Sequence, residues 1–197
     1  MSNFLFIRSK TSLNRKTLLK TNENLDSKYL KKKKKIIFIK SKNYNYHFVL
    51  NRDASEDILR QKKGIVILFV GNVYNLNISK KKKISKIQLI LDGYLKQGIS
   101  FIKKLDGNFS ILILNLKNDK ILSFRDRHGS NVLFYYNKKD LLLIFTKIKF
   151  LKNNFLIKME PNWELIKTYI FKNYRYSYGT IETFFKDVFL FKNNSIN

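Results

Sequence analysis

A chain of 197 residues with 44% hydrophobic content is long enough to bury a proper core, and its formal net charge is +26. It has no cysteine and only two histidines, His47 and His128, which excludes disulfides, thiolate metal sites and a cysteine nucleophile and argues against a histidine metal centre; no cofactor is expected. No run approaches the roughly 18 apolar residues of a membrane span, and MSNFLFIRSK lacks the apolar region and cleavage site of a secretory signal, so a cytoplasmic protein is expected.

Phe4 to Ile7 is a short apolar run of strand size. Residues 9–35 are polar and basic, show no amphipathic period and end in the lysines Lys31 to Lys35; they read as a long loop or a partly disordered segment. Ile36 to Ile39 and Tyr46 to Leu50 read as strands, and Asp53 to Arg60 as one or two helical turns. Ile65 to Val70 is β-branched at several positions, which predicts a buried strand, with a turn at Gly71-Asn72. Ile84, Ile87, Leu91, Tyr94 and Leu95 recur at spacings of three and four, the stripe of a helix packed on a sheet and ended by Gly98.

From Leu105 to Leu151 four apolar runs alternate with polar turn clusters, the spacing of an antiparallel meander. Phe109 to Leu114 and Leu141 to Phe145 are apolar at nearly every position, so both faces of these strands should be covered. Pro161-Asn162 opens a second helix with Trp163, Ile166, Tyr169 and Ile170 on one face, where Trp163 and Tyr169 are expected to serve the core. Thr183 to Phe191 reads as a last strand. Many strands and two clear helices define an α+β chain with stacked layers.

The charge admits two explanations. Lysines are spread over the whole chain, and a composition rich in Lys, Asn, Ile, Phe and Tyr is what an AT-biased genome produces in any protein. The runs Lys31 to Lys35 and Lys80 to Lys83, with Tyr and Phe between basic residues, would alternatively contact nucleic-acid phosphates and other polyanions.

An ordered set of segments carries a family resemblance. Val70-Gly71-Asn72-Val73-Tyr74-Asn75, LDGNFS at 105–110, FRDRHG at 124–129 with a following FYY, IFTKIKFL at 144–151 and TFFKDVFL at 183–190 fall in the order of the corresponding motifs in the glutaminase domain of asparagine synthetases. The chain resembles that type 2 glutamine amidotransferase domain over residues 64–190. The resemblance implies a four-layer αββα sandwich of two antiparallel sheets, the N-terminal-nucleophile hydrolase fold, with 1–197 as one glutaminase-like domain.

The family's nucleophile is a cysteine at position 2, activated by its own α-amino group. The matching residue is Ser2, a poorer nucleophile, and Asn3 replaces the glycine that follows it. The oxyanion-hole asparagine and its neighbours correspond to Val70, Gly71 and Asn72; valine has no donor, and losing one such donor typically costs about a hundredfold in rate. Counting back from Tyr94 and Gly98 puts Lys86 where the family's aspartate anchors the substrate ammonium, which reverses the sign of the interaction. The family's arginine-bearing segments have no match between residues 10 and 60. Gly107 and Gly129 suit positions needing small or positive-φ residues, and Arg125 and Asp126 are expected to pair and fix the turn before FYY. His128 is expected at the surface.

The phosphate loop of the family's synthetase half has no match. The resemblance therefore implies a non-catalytic pseudo-glutaminase, inactive on its own, that scaffolds or regulates a separate ATP-dependent amide-forming synthetase. Asparagine synthetase, β-lactam synthetase and lasso-peptide cyclase are the models for that partner. Two alternatives stand beside it: a cationic nucleic-acid-binding module, and a glutamine amidohydrolase that uses Ser2.

Overall fold

The computed structural model describes residues 2–13, 18, 33–52, 58–76, 84–151, 156–172 and 180–193. Its strands are β1 (Asn3–Ser9), β2 (Lys33–Lys40), β3 (Asn45–Arg52), β4 (Leu59–Lys62), β5 (Ile65–Val73), β6 (Gly107–Asn115), β7 (Lys120–Arg125), β8 (Phe134–Lys138), β9 (Leu141–Phe145) and β10 (Val188–Leu190). The helices are α1 (Lys86–Gln97), α2 (Ile99–Lys103) and α3 (Trp163–Lys172), with a 3₁₀ turn at Ile148–Leu151. Two antiparallel sheets form an α+β sandwich, one of order β10-β8-β9-β1-β3-β2 and one of order β4-β5-β6-β7.

The continuous apolar runs have the double burial their composition requires. In β1, Phe4 and Phe6 belong to the core between the sheets, whereas Leu5 and Ile7 belong to the layer behind the larger sheet. Tyr46, Phe48, Val66, Leu68, Leu112 and Leu114 complete the middle core from both sides. Ile67, Ile111 and Ile113 face outward from the smaller sheet and meet Ile87, Ile90, Leu91 and Ile102 of α1 and α2. Gly93 lets these two helices close, because a Cβ there would lie 2.3 Å from the Phe101 ring. The outer face of the larger sheet is covered, among the described residues, by Phe150 and Leu151 of the 3₁₀ turn, Leu18, and Leu156, Ile157 and Met159.

Several expectations need correction. The runs from 105 to 151 are not one meander: β6 and β7 pair in the smaller sheet, and residues 126–133 carry the chain across to β8 and β9 in the larger. Gly71 and Asn72 are not a turn; they continue β5 and pair with Phe109 and Asn108 of β6. Leu59 and Arg60 belong to β4 rather than to a helix, and residues 53–57 of that expectation lie outside the described residues. The basic 9–35 segment opens in β1 and closes in β2, and its Leu18 is buried; residues 14–17 and 19–32 lie outside the described residues. The run Lys80 to Lys83 also lies outside them. In the tail, β10 occupies only Val188–Leu190, with isolated bridges of Glu182 to Phe189 and of Pro161 to Phe185.

The helix after Pro161 forms, with the Asn162 side chain accepting from the Leu165 amide at 3.3 Å. It buries none of its residues, however. Trp163 is 62% exposed, Ile170 68% and Phe171 83%, so the expected core role of this face is wrong. Tyr169 meets Phe184 edge-on at 5.3 Å, and both rings remain exposed.

Candidate functional site

The substrate-binding positions named from sequence converge at the end of the β5–β6 pair. Gly71 sits opposite Phe109, Asn72 opposite Asn108 and Val73 opposite Gly107. Gly71 has φ +114, and a Cβ there would lie 2.1 Å from the Asn108 carbonyl oxygen and 2.8 Å from Asn131 Nδ2. Gly107 has φ +153, with the Asn72 carbonyl oxygen 2.2 Å from the place of a Cβ. One glycine on each strand thus permits a backbone approach that no other residue allows.

Val70 is buried in the core between the sheets, in the same cluster as Phe4 and Leu133. Its side chain offers hydrocarbon and no donor. Asn72 is exposed, and its Oδ1 accepts a 2.9 Å hydrogen bond from Lys86 Nζ. Lys86 begins α1, whose first turn holds no acidic residue. A cation there opposes the helix dipole, and the Asn72 amide oxygen offsets part of that cost. Two positions fourteen residues apart are therefore joined at the rim of the glycine corner.

The corner is closed from the other side by the crossover that follows β7. Asp126 is 3% exposed. Its carboxylate accepts from the backbone amides of His128 at 3.0 Å, Ser130 at 3.1 Å, Phe109 at 3.3 Å and Asn131 at 3.4 Å. Arg125 donates to the carbonyls of Asn131 (3.0 Å), Gly129 (2.6 Å) and Phe191 (2.5 Å). The expected Arg125–Asp126 pair is thus corrected: the two side chains hydrogen-bond not to each other but to backbone groups of the turn and, beyond it, of Phe191 and Phe109. Burial pushes the Arg125 guanidinium down, and the Asp126 charge works against that shift. Gly129 has φ +65 and leaves room for the Arg125 guanidinium, since a Cβ would lie 2.8 Å from its Nη2. His128 is exposed, as expected of a surface residue, and contributes its backbone amide.

Ser2 is 1% exposed and lies immediately before β1. The start of β1 is tied to the end of β9, where Phe4 N donates to Thr146 Oγ1 at 3.1 Å. Sequence reasoning missed Asn108, Ser110 and Asn131. Ser110 Oγ donates to the Asn131 carbonyl at 2.9 Å, and Ser130 Oγ donates to Asn108 Oδ1 at 3.3 Å. The signal available for them was weak: small polar residues beside a glycine, in a stretch that reads as an ordinary turn.

No group of three histidine, aspartate or glutamate side chains able to hold a metal ion occurs among the described residues. No described helix is long and apolar enough to cross a membrane. A second concavity, of about 560 Å³, lies below the corner between the end of α2 and β7; Lys103, Lys104, Arg125 and Arg127 line it together with Asp106 and Asp126.

Two face-to-face antiparallel sheets with helices packed on the outer face of the smaller one define the class: an α+β sandwich of the N-terminal-nucleophile-hydrolase-like type. The pattern of the glutamine amidotransferase domain family matches residues 48–196, and the chain belongs to that family, as a glutaminase domain of the asparagine synthetase kind. It is 29% identical over 119 residues to asparagine synthetase [glutamine-hydrolyzing] 2 of Bacillus subtilis (strain 168), a match over 57% of this chain and 16% of that protein. It is also similar to the amidase chyE of Penicillium rubens, at 30% identity over 105 residues and 14% of that protein. The amidase chry2 of Gibberella zeae matches at 31% over 80 residues and 11% of its length. The chain thus spans about a sixth or less of these relatives.

Proposed function

We propose that the chain is a non-catalytic glutaminase-type domain that scaffolds or regulates an ATP-dependent amide-forming synthetase of the asparagine synthetase, β-lactam synthetase or lasso-peptide cyclase kind. The observation that carries the reading is the Lys86–Asn72 hydrogen bond of 2.9 Å. An ammonium already occupies the rim where a glutamine substrate would need a carboxylate for its own ammonium. Val70 supplies no oxyanion donor beside it, and Ser2 is an alcohol where a thiolate would attack. The exposed face of α3, with Trp163, Ile170 and Phe171, offers apolar surface for the synthetase to cover, and the +26 charge suits an acidic partner surface.

Two measurements test this. The purified chain should release no ammonia from glutamine; release at a rate abolished by Ser2→Ala would instead establish the amidohydrolase reading. Affinity isolation from native cells after nuclease treatment should recover a stoichiometric synthetase. Ile170→Glu with Phe171→Glu should reduce that recovery severalfold.

One observation favours a second reading, a nucleic-acid-binding module: the cleft carrying Lys103, Lys104 and Arg127. It predicts RNA or DNA binding whose affinity falls steeply with salt. Absence of binding at low salt and micromolar protein removes it.

A further inference from the structure

Among the described residues the larger sheet has six strands and the smaller four, with β7 at an edge of the smaller one. Beyond that edge the space between the sheets opens into a cavity of about 440 Å³. Ile121 and Ser123 of β7 form one wall, Tyr135, Leu142 and Ile144 of β8 and β9 the other, and Leu190 to Lys192 close one side. The volume is that of a small-ligand site.

The walls are apolar and the charges in them have one sign. Arg8 and Lys192 line the cavity, and among the described residues no acidic side chain does. Arg8 lies in phase with Phe4 and Phe6 along β1, which directs it between the sheets rather than to solvent. Its guanidinium stacks 4.7 Å from the centre of the Tyr44 ring, and its Nε is buried without a hydrogen-bond partner. Asp119 feels the Arg8 charge, but its two oxygens already accept from Tyr46 at 2.7 Å and Asn43 at 2.8 Å. Nε itself is closed off from solvent, so an incoming anion would meet the guanidinium at the part of Arg8 that lines the cavity.

We infer that this cavity binds a small carboxylate with an apolar body, the carboxylate on Arg8 and the hydrocarbon between Ile121, Leu142 and Ile144. The site lies at the opposite end of β1 from Ser2 and is independent of the proposed synthetase-bound role.

Octanoate is the probe, with 1-octanol as its uncharged counterpart, read by amide chemical shifts of the full chain on titration. Octanoate should bind saturably at one site and shift resonances of Arg8, Tyr135 and residues 190–192. 1-Octanol should bind at least tenfold more weakly, and Arg8→Gln should weaken octanoate by at least tenfold. Leu142→Trp, which fills the cavity and keeps Arg8, should abolish binding and serves if Arg8→Gln does not fold. Equal binding of octanoate and 1-octanol, shifts confined to another surface, or no saturation at millimolar octanoate would overturn the proposal.

Discussion

The Tyr46 hydroxyl donates a 2.7 Å hydrogen bond to Oδ1 of Asp119, joining β3 of the larger sheet to the β6–β7 turn of the smaller one. Asn43 Nδ2 holds the other carboxylate oxygen at 2.8 Å. Burial and this bond push the Tyr46 phenol well above its ordinary range. Tyr46→Phe leaves the ring packed on Phe6 and removes only the tie. It should lower stability by about 1–2 kcal/mol, read from the urea midpoint at unchanged slope.

His47 and Asp119 both contribute to the acid side of the stability curve. Burial pushes the His47 imidazole down, against the Phe38 ring and with no partner for Nε2. Its folded value is depressed, so its contribution is complete above the unfolded value near 6.5 and shrinks as pH falls below that. Burial alone would raise Asp119, but hydrogen bonds from Ser41, Tyr46 and Asn43 and the Arg8 charge hold it down, so its contribution is lost only below about 3.8. His47→Phe should flatten stability between pH 7 and 5 while leaving the lower loss in place, as measured by urea unfolding at a series of pH values.

Gly71→Ala should be severe. The added Cβ would meet the Asn108 carbonyl oxygen at 2.1 Å on a backbone at φ +114. A loss of about 3 kcal/mol or failure to fold is expected. Gly98→Ala isolates backbone strain from collision: φ is +62 and ψ −144, a region that favours glycine, but nothing lies within 4 Å, so the cost should be strain alone, about 1–3 kcal/mol without loss of folding. Comparable losses in the two variants would contradict the close approach at Gly71.

Asp126→Ala removes the acceptor of four backbone amides from a buried corner. It should cost about 3 kcal/mol or more. Amide exchange should accelerate first at His128, Ser130 and Asn131, before any change at β2 or β3.

Ile170→Ser and Phe171→Ser should leave the isolated chain within about 0.5 kcal/mol of the parent, because neither side chain is buried. A large loss would mean that the chain itself covers this face.

What could be read beforehand was whatever one period decides. The spacing from Ile84 to Leu95 announced α1, and the β-branched run Ile65 to Val70 announced β5. Gly71-Asn72 looked like a turn because the dipeptide favours turns, but pairing with β6 overrides local preference. The crossing at 126–133 was hidden because two hairpins in separate sheets have the same run spacing as one meander. Periodicity in α3 marked an apolar face without saying what covers it. The Lys86–Asn72 bond depends on where α1 lands on β5, a tertiary fact that neither segment encodes alone.

β1 lies between β3 and β9, with Leu5 opposite both Val49 and Phe145. β1 therefore waits, with one edge unpaired, for a partner made more than a hundred residues later. During synthesis β1 can join β3 early, but the middle of the larger sheet stays open until β9 emerges. The nascent chain thus carries an apolar, ladder-ready edge on β1 until β9 is made.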